Sequence, residues 1–224
     1  MRAYADRPSA GRELARQLDR YASREDAVVL GLARGGMPVA FEVARALGLP
    51  LDVFLVRKLG VPGHEELAMG ALASGGIRVI NQEVVDALEL SKAQIDAVAA
   101  QAQLELDRRE RAYRQGAPAT DVTGRIAILV DDGLATGSSM RAAVRALRER
   151  DAAQVVVAVP VAPPQTCAEL ESEADAVVCA RTPEPFKAVG VWYEDFGQTT
   201  DEEVRALMGS AAAAQGRSRH GRGA

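Results

Sequence analysis

Short apolar runs recur along the chain, separated by stretches that are polar or have helical spacing. Continuous apolar runs of this length are typical of strands buried on both faces of a parallel sheet. The runs are AVVLGL (27–32), LDVFLV (51–56), RIAILV (125–130), QVVVAVPVA (154–162) and DAVVCA (175–180), with IRVIN (77–81) as a further candidate strand. Their alternation with helical segments predicts an α/β fold in which helices cover both faces of a mostly parallel central sheet.

Helical segments follow most of these runs. Pro8, with Leu14, Leu18 and Tyr21 at helical spacing, predicts a helix ahead of the first strand. Further helices are predicted at about 38–47, 91–115, 139–150, from 163 onward and 201–208. The segment that begins at Ser91 is long and heavily charged, so we interpret it as an inserted helix with a solvated face.

Residues 60–76 interrupt the alternation because they contain five glycines and one proline. Glycine and proline are the residues that most often mark turns and loops. We therefore predict a mobile loop here, with a short hairpin near its end, which would serve as a small hood or lid over the sheet.

Composition narrows the class of protein. A chain of 224 residues with 48% hydrophobic and 26% charged residues predicts a single globular domain, which we place at 1–208, followed by a disordered tail at 209–224. A net charge of −4 argues against broad binding to nucleic acid or anionic membranes. No apolar run is long enough to span a membrane and the N-terminus does not resemble a signal peptide, so we expect a cytoplasmic protein. Cys167 and Cys179 lack metal-ligand spacing and are predicted to be buried, reduced thiols.

Segments with candidate chemistry follow predicted strands in more than one place. ARGG (33–36), Arg57-Lys58 and DDGLATGSS (131–139) each come directly after an apolar run. Ligands of open parallel sheets bind outside the carboxyl ends of the strands. The shared position of these segments therefore predicts one site at that edge of the sheet.

The stretch ILVDDGLATGSSM (128–140) combines two acids with a run of small residues. Gly133 and Gly137 permit close backbone approach, and Thr136, Ser138 and Ser139 supply hydroxyl donors at the start of a helix. Such a loop suits a phosphate, although the chain has neither a GxxxxGK[ST] nor a GxGxxG pattern.

The two acids of this stretch, Asp131 and Asp132, repel a phosphate but accept hydrogen bonds from vicinal hydroxyls and can hold Mg²⁺. A ribose 5-phosphate fits both the acids and the small loop. The alternative is an ordinary turn with a capped helix and two exposed acids.

This stretch resembles the phosphoribosyl pyrophosphate (PRPP) motif of the type I phosphoribosyltransferases. LGLARGG (30–36) resembles the pyrophosphate-binding loop of that family, and VRKLG (56–60) resembles the Arg-Lys that follows the next strand in the orotate and adenine enzymes. The three matches span 26–161. GLARGGMPVAFEVA (31–44), LVRKLGVPGHEELAMGA (55–71) and VGVWYEDFGQ (189–198) resemble a group of bacterial members whose acceptor is undefined, which extends the likeness over 4–208.

The resemblance implies a role for each matching residue. Asp131 and Asp132 would contact the ribose hydroxyls and hold Mg²⁺ directly, through water or through PRPP, and Arg57 and Lys58 would neutralise the pyrophosphate. The loop that would hold the 5-phosphate comprises Gly133, Leu134, Ala135, Thr136, Gly137, Ser138 and Ser139. The loop whose amides would hold pyrophosphate, often with unusual peptide geometry in relatives, comprises Ala33, Arg34, Gly35 and Gly36. Phe186 would stack on the acceptor.

The implied reaction is substitution at the anomeric carbon of PRPP by an acceptor, most simply a nitrogenous base, with inversion and release of pyrophosphate. Two positions depart from relatives. Ala135 stands where 6-oxopurine enzymes have an acid that can serve as general base, and Val61 stands where the orotate enzyme has a loop lysine. Ala135 therefore weakens the assignment of a 6-oxopurine as the acceptor. Val61 means that no residue of this chain matches the loop lysine.

Several assignments stay open from sequence alone. His64, Glu65 and Glu66 could act as acid or base in the lid or be solvated surface, and Arg34 could be a surface charge. TPEPFKAVGVWYEDF (182–196) resembles the acceptor-binding segment of the purine enzymes, and its Phe186 and Trp192 could each stack on the acceptor or pack in the core. Asp195 could bind a base amine or Mg²⁺.

The main alternative function is a regulator that senses PRPP or a nucleotide on the same fold without turnover. A hydrolase that releases phosphate or pyrophosphate from PRPP is a further alternative, although no cluster of transition-metal ligands supports it. We expect small-molecule partners, no membrane or nucleic-acid partner, and a homodimer by analogy with the family.

Overall fold

A parallel sheet forms the centre of the protein. The computed structural model describes residues 2–220, and within that range the sheet has five strands in the order β2–β1–β6–β7–β8. The strands are β1 (Ala27–Leu32), β2 (Leu51–Phe54), β6 (Ile126–Val130), β7 (Gln154–Val161) and β8 (Ala176–Arg181). Val29 pairs with Leu51 on one side and with Ile128 on the other. The predicted parallel sheet is confirmed.

Helices cover both faces of this sheet. On one face pack α1 (Arg7–Gln17), α2 (Gly36–Leu47) and α7 (Asp201–His220), and on the other pack α5 (Ser138–Glu149) and α6 (Pro164–Leu170). Each face of the sheet has its own hydrophobic core, and successive side chains of β1 point alternately into one and the other. Val29 packs with α1 and α2, whereas Val28 and Leu30 pack with α5. Every residue of β1 is buried, as expected from its unbroken apolar sequence. No helix among residues 2–220 is both long and apolar enough to cross a membrane.

A small antiparallel sheet lies beside the central one. Its strands are β3 (Val56–Val61), β4 (His64–Ala73) and β5 (Ile77–Ile80), in that order. The prediction of one strand over 51–56 was wrong, because the chain leaves the central sheet after Phe54 and Val56 begins the second sheet. Leu55 at this junction exchanges hydrogen bonds with the buried Ser74, whose hydroxyl and amide each lie 2.8 Å from the Leu55 backbone.

The prediction of a mobile loop over 60–76 was also wrong for most of its length, because β4 occupies it, whereas the hairpin predicted near its end is present as β4–β5. The glycines there allow close approach between strands. A Cβ on Gly70 would lie 2.4 Å from the Val79 carbonyl oxygen, and a Cβ on Gly60 would lie 2.6 Å from that of Glu65. Glycine content therefore reflects the packing of this hairpin, which a composition-based reading mistakes for flexibility. A turn does occur at the end of the segment, where Gly75 and Gly76 have positive φ.

The inserted long helix is present as α4 (Lys92–Arg114), preceded by α3 (Gln82–Ala87), which was not predicted. Ser91 begins α4 as its N-cap and forms a capping box with Gln94. The C-terminal end of α4 is fixed to β2 by an ion pair between Arg114 and Asp52. Arg114 Nε lies 2.9 Å from Asp52 Oδ1, and both side chains are at most 7% exposed.

The two cysteines are a further correction. The sequence predicted reduced thiols, but Cys167 of α6 and Cys179 of β8 are joined by a disulfide. Helix α6 packs over β8 and brings the two Cα atoms to 6.6 Å. A separation of 12 residues gives no indication of this approach, which depends on how the helix returns across the sheet.

The predicted disordered tail is helical as far as His220, as part of α7. The run Ala211–Ala214 consists of alanine, the residue type with the highest helix propensity, and Ala211 packs against the core. That propensity continues the helix begun by Asp201–Met208. The last residues of the predicted tail, 221–224, lie outside the described range.

Replacing Asp52 by asparagine should destabilise the fold by about 2–3 kcal/mol, because the buried Arg114 guanidinium loses the nearer of its two counter-charges and keeps only Glu110, at 3.3 Å. Asp52 also accepts a backbone hydrogen bond from Thr120 at 2.8 Å, so the loss extends to the segment after α4. Urea unfolding followed by circular dichroism measures the change. The matched control is Asp96→Asn in the exposed pair with Arg78, which should cost less than about 1 kcal/mol. Equal effects of the two substitutions would contradict a special role for the buried pair.

Candidate functional site

Loops from different parts of the chain meet in a cleft at the carboxyl edge of the central sheet. The cleft has a volume of about 380 Å³. The loop after β1 contributes Ala33, Arg34 and Gly35, and the loop after β6 contributes Asp131 and Asp132. The remaining lining residues are Arg7, Leu32, Val56, Ser139, Phe196, Gln198 and Thr199. Two of the predicted site segments therefore come together, as the strand-end argument requires.

The glycines after β1 pack directly on the two acids. A Cβ on Gly35 would lie 2.3 Å from Asp132 Oδ2, and a Cβ on Gly36 would lie 2.6 Å from the Val130 carbonyl oxygen and 3.0 Å from Asp131 Oδ1. A larger residue at either position would displace an acid or the loop. The Ala33–Arg34 peptide bond in the same loop is cis.

Burial dominates the electrostatics of the acid pair. Asp131 Oδ1 accepts a hydrogen bond from the Asp132 amide at 2.8 Å, which turns its carboxylate back towards the chain. Burial and the neighbouring charge of Asp132 raise the pKa of Asp131 well above its usual value. Burial also raises the pKa of Asp132, while the hydrogen bond from Arg7 opposes that rise. Two adjacent acids in a water-poor site favour ligands that bring hydroxyl donors or cations.

Arg7 is a site residue that the sequence analysis missed. Its Nε donates to Asp132 Oδ2 at 2.8 Å and its Nη1 donates to the Gly197 carbonyl oxygen at 2.6 Å. Its guanidinium carbon lies 4.0 Å from the centre of the Phe196 ring. Arg7 and Asp132 are 125 positions apart, and no local motif contains Arg7, so the sequence carried no signal for this contact.

Tyr193 supports Asp132 from the other side. Its hydroxyl donates to the Asp132 carbonyl oxygen at 2.5 Å, and burial raises the pKa of the phenol above its usual value. Tyr193 belongs to VGVWYEDFGQ (189–198), which the sequence analysis singled out for its resemblance alone.

The small-residue loop is anchored from behind and open in front. Leu134 is buried and its amide donates to the Val161 carbonyl oxygen at 3.0 Å. Thr166 of α6 donates from its hydroxyl to the Ala135 carbonyl oxygen at 2.9 Å. Gly133 is hemmed in by Val161 and Val189, where a Cβ would lie 2.6 Å from Val189 Cγ1.

The open side of this loop carries its polar groups. Ala135, Thr136, Ser138 and Ser139 are exposed, and the Thr136 and Ser138 hydroxyl oxygens lie 3.0 Å apart. Gly137 has φ 72° and caps the N-terminus of α5, where the first amides of the helix are directed outward. A helix N-terminus with hydroxyls beside it is suited to an anion such as a phosphate.

Arg34 lines the cleft and reaches α7. Its guanidinium lies 3.6 Å from Asp201 Oδ1, and the same oxygen accepts a hydrogen bond from the Tyr113 hydroxyl at 2.7 Å. Burial and the Asp201 carboxylate raise the pKa of Tyr113 to about 12. The contacts hold Arg34 at the cleft rather than leaving it an isolated surface charge.

Arg57 and Lys58 do not line the cleft. Both are exposed on β3, and Lys58 Nζ donates to the Glu66 carbonyl oxygen. Alternate residues of a strand share a face, so Lys58 lies on the face of Val56, which does line the cleft. His64 and Glu65 are exposed near the far turn of the same hairpin.

The aromatic residue at the cleft is Phe196. Phe186 stacks against Trp192 with ring centres 6.5 Å apart, and both pack on the cluster that contains Tyr4 and Tyr193. Neither lines the cleft, so the prediction that Phe186 stacks on an acceptor has no direct geometric support. Asp195 is exposed and accepts a hydrogen bond from the Gly197 amide at 3.0 Å.

The acid pair offers carboxylate oxygens of the kind that Mg²⁺ prefers. Among residues 2–220 no group of three or more His, Cys, Asp or Glu side chains is placed to hold a metal ion. Two carboxylates alone suit Mg²⁺ only when a substrate supplies phosphate ligands, which is the usual arrangement for this ion. The residues therefore fit Mg²⁺ that arrives with a phosphate ligand and do not form a cage of their own.

Comparison with known proteins agrees with the geometry. The sequence profile of the phosphoribosyl transferase domain matches residues 3–194. Proteins named "Putative phosphoribosyl transferase" from two strains of Mycobacterium tuberculosis are 48% identical over 211 residues, which is 94% of this chain. The match covers 47% of those relatives, so the chain spans about half of their length.

A solved structure is similar over nearly the whole chain. TT1426 from Thermus thermophilus superimposes with a TM-score of 0.81 at 44% identity, covering 93% of this chain and 98% of the other. The type I phosphoribosyltransferase-like fold predicted from the sequence, a parallel sheet between helices with a small antiparallel sheet, is confirmed. The chain belongs to the phosphoribosyl transferase domain family.

Proposed function

We propose that the protein transfers the 5-phosphoribosyl group of PRPP to a nitrogenous-base acceptor and releases pyrophosphate. The observation that carries this proposal is the packing of the glycine loop after β1 against Asp131 and Asp132, beside the open phosphate-type loop. One cleft thus offers carboxylates for a sugar diol, hydroxyls and amides for one phosphate, and a backbone loop for a second anionic group.

The proposed roles follow from what each group can donate or accept. Asp131 and Asp132 accept hydrogen bonds from the ribose hydroxyls, and Ala135–Ser139 donate to the 5-phosphate. The amides of Ala33–Gly36 face the pyrophosphate, and Arg34 adds a positive charge at the same place. Lys58 lies on the face of β3 that Val56 presents to the cleft, so its charge is directed towards the leaving group, whereas Arg57 lies on the opposite face of the strand.

In the reaction the acceptor nitrogen forms a bond to the anomeric carbon while the bond from that carbon to pyrophosphate breaks. The transition state carries positive charge on the ribose and growing negative charge on pyrophosphate. Catalysis then consists of holding the two reactants in line and stabilising pyrophosphate with amides and cations. Mg²⁺ bound with PRPP would add charge neutralisation, and Asp131 and Asp132 would hold it directly or through water.

A phosphorus NMR time course tests the function directly. PRPP with Mg²⁺ and stoichiometric protein should give pyrophosphate only when a pool of nucleobases is added. Shifted or broadened PRPP signals without turnover would favour a sensor or an acceptor outside the pool. Pyrophosphate or phosphate released without any acceptor would indicate a hydrolase, and an unchanged spectrum would refute PRPP binding.

Asp132→Asn should weaken PRPP binding by about 1–3 kcal/mol, which is roughly 5- to 150-fold in Kd, because a carboxylate acceptor for a ribose hydroxyl is lost. Isothermal titration calorimetry with Mg²⁺ present gives the two affinities. Asp86→Asn on the exposed side of α3 provides the control and should bind PRPP like the wild type. Wild-type affinity in Asp132→Asn would exclude the diol-binding role.

Gly35→Ala should lower PRPP affinity at least about tenfold, because its Cβ would lie 2.3 Å from Asp132 Oδ2 and must displace the acid or the loop. The same calorimetric titration applies, with a thermal melt to confirm folding. Gly209→Ala in α7 is the matched control, since a Cβ there meets nothing within 4 Å and should leave PRPP binding unchanged. If both alanine variants bind PRPP equally well, the loop does not form the binding surface.

A further inference from the structure

Arg7 joins two walls of the cleft that are far apart in sequence. One wall is the acid pair after β6. The other, which we call the wall segment, is residues 195–200, of which Phe196, Gln198 and Thr199 line the cleft. The Arg7 side chain donates to Asp132 on the first wall, donates to the Gly197 carbonyl oxygen on the second, and stacks on the Phe196 ring. Arg7 and Asp132 are largely buried, with side-chain exposures of 11% and 13%.

The backbone holds Arg7 in place for these contacts. Pro8 lies in the first turn of α1, and Asp6 caps the helix by accepting a hydrogen bond from the Ser9 amide at 2.7 Å. The segment before the helix pairs with the chain that leads into the wall segment, since the Asp195 amide donates to the Ala5 carbonyl oxygen at 3.0 Å. Arg7 therefore starts from a fixed backbone position.

The wall segment has little regular structure of its own. Residues 195–200 form neither helix nor strand, and Phe196 and Gln198 are exposed at the cleft. Its contacts include the Arg7 bond to Gly197 and the packing of the Phe196 ring 5.0 Å from that of Tyr193. A planar guanidinium can hold a carboxylate, a carbonyl and an aromatic face at once, which a lysine ammonium cannot do in the same geometry.

We propose that Arg7 is a positioning residue that couples Asp132 to the wall segment, so that a sugar diol bound at the acids orders the wall on which the acceptor is received. The inference rests on the proposed function for its ligand, but the mechanical link between Arg7 and the wall segment exists without ligand. Phe196 and Gln198, as exposed lining residues of that wall, are then the side chains that meet the acceptor.

Hydrogen–deuterium exchange with peptide resolution tests both parts. Arg7→Met removes the link, Arg7→Lys keeps the charge without the planar fork, and Arg12→Met is the matched control on an exposed position of the same helix. Exchange is followed at 195–200 and at 134–139, with and without PRPP and Mg²⁺. Thermal melts check that each variant folds, and phosphorus NMR reports PRPP binding.

Without ligand, residues 195–200 should exchange about tenfold faster in both Arg7 variants than in the wild type, as loss of a charge-assisted hydrogen bond implies, and Arg12→Met should match the wild type. With PRPP, the wild type should gain protection at both segments. The Arg7 variants should gain it at 134–139 alone, and Arg7→Lys should not restore the response at 195–200.

Equal ligand-free exchange of 195–200 in wild type and Arg7→Met would overturn the link. Protection of 195–200 by PRPP in the Arg7 variants to the wild-type extent would overturn the coupling while leaving the function intact. If PRPP protects the wild type at 134–139 but not at 195–200, the coupling is likewise overturned and the proposed function stays intact. If PRPP protects neither segment of the wild type, the proposed function and the coupling fall together, and the ligand-free comparison still decides whether Arg7 holds the wall.

Discussion

The parallel pairing of β1 with β6 determines where every other part of the site can lie. The two strands run side by side with Gly31 opposite Val130, so their loops begin at the same level of the sheet. That level brings Gly35 and Gly36 onto Asp131 and Asp132 at distances that only a residue without a side chain tolerates. A shift of register by one residue would move the glycines away from the acids and turn the side chains of each strand into the opposite core, where their shapes would not fit.

Burying two neighbouring carboxylates is unfavourable, and the structure offsets the cost only in part. Arg7 and the Tyr193 hydroxyl both donate hydrogen bonds to Asp132. Asp131 accepts a hydrogen bond from the Asp132 amide, and within the described residues no cation is paired with it. The raised pKa of Asp131 expresses this imbalance. Without ligand, the buried carboxylate charge is only partly compensated. A ligand that supplies hydroxyl donors or a divalent cation therefore stabilises the site most, and the proposed substrate supplies both.

The sequence was sufficient to predict those elements whose structure is determined by neighbouring residues. The central strands, the capped helix α4 and the stretch 128–140 are each specified by neighbouring residues, and their positions were predicted closely. Long-range contacts were not predictable: Arg7 meets Asp132 across 125 positions, and the Cys167–Cys179 bond depends on the return path of α6. Glycines over 60–76 were misread because composition cannot distinguish a flexible backbone from close strand packing.

The two halves of the cleft differ in how firmly the fold holds them. The small-residue loop is fixed by the buried Leu134 and by Thr166, so its exposed donors are already arranged and a ligand need not order them. The wall segment forms neither helix nor strand, and the Arg7 side chain ties it to the acids. A preformed half suits the sugar phosphate of the proposed donor substrate. The less regular half can adapt to the second reactant of the proposed transfer, and no local motif of the sequence specifies that reactant.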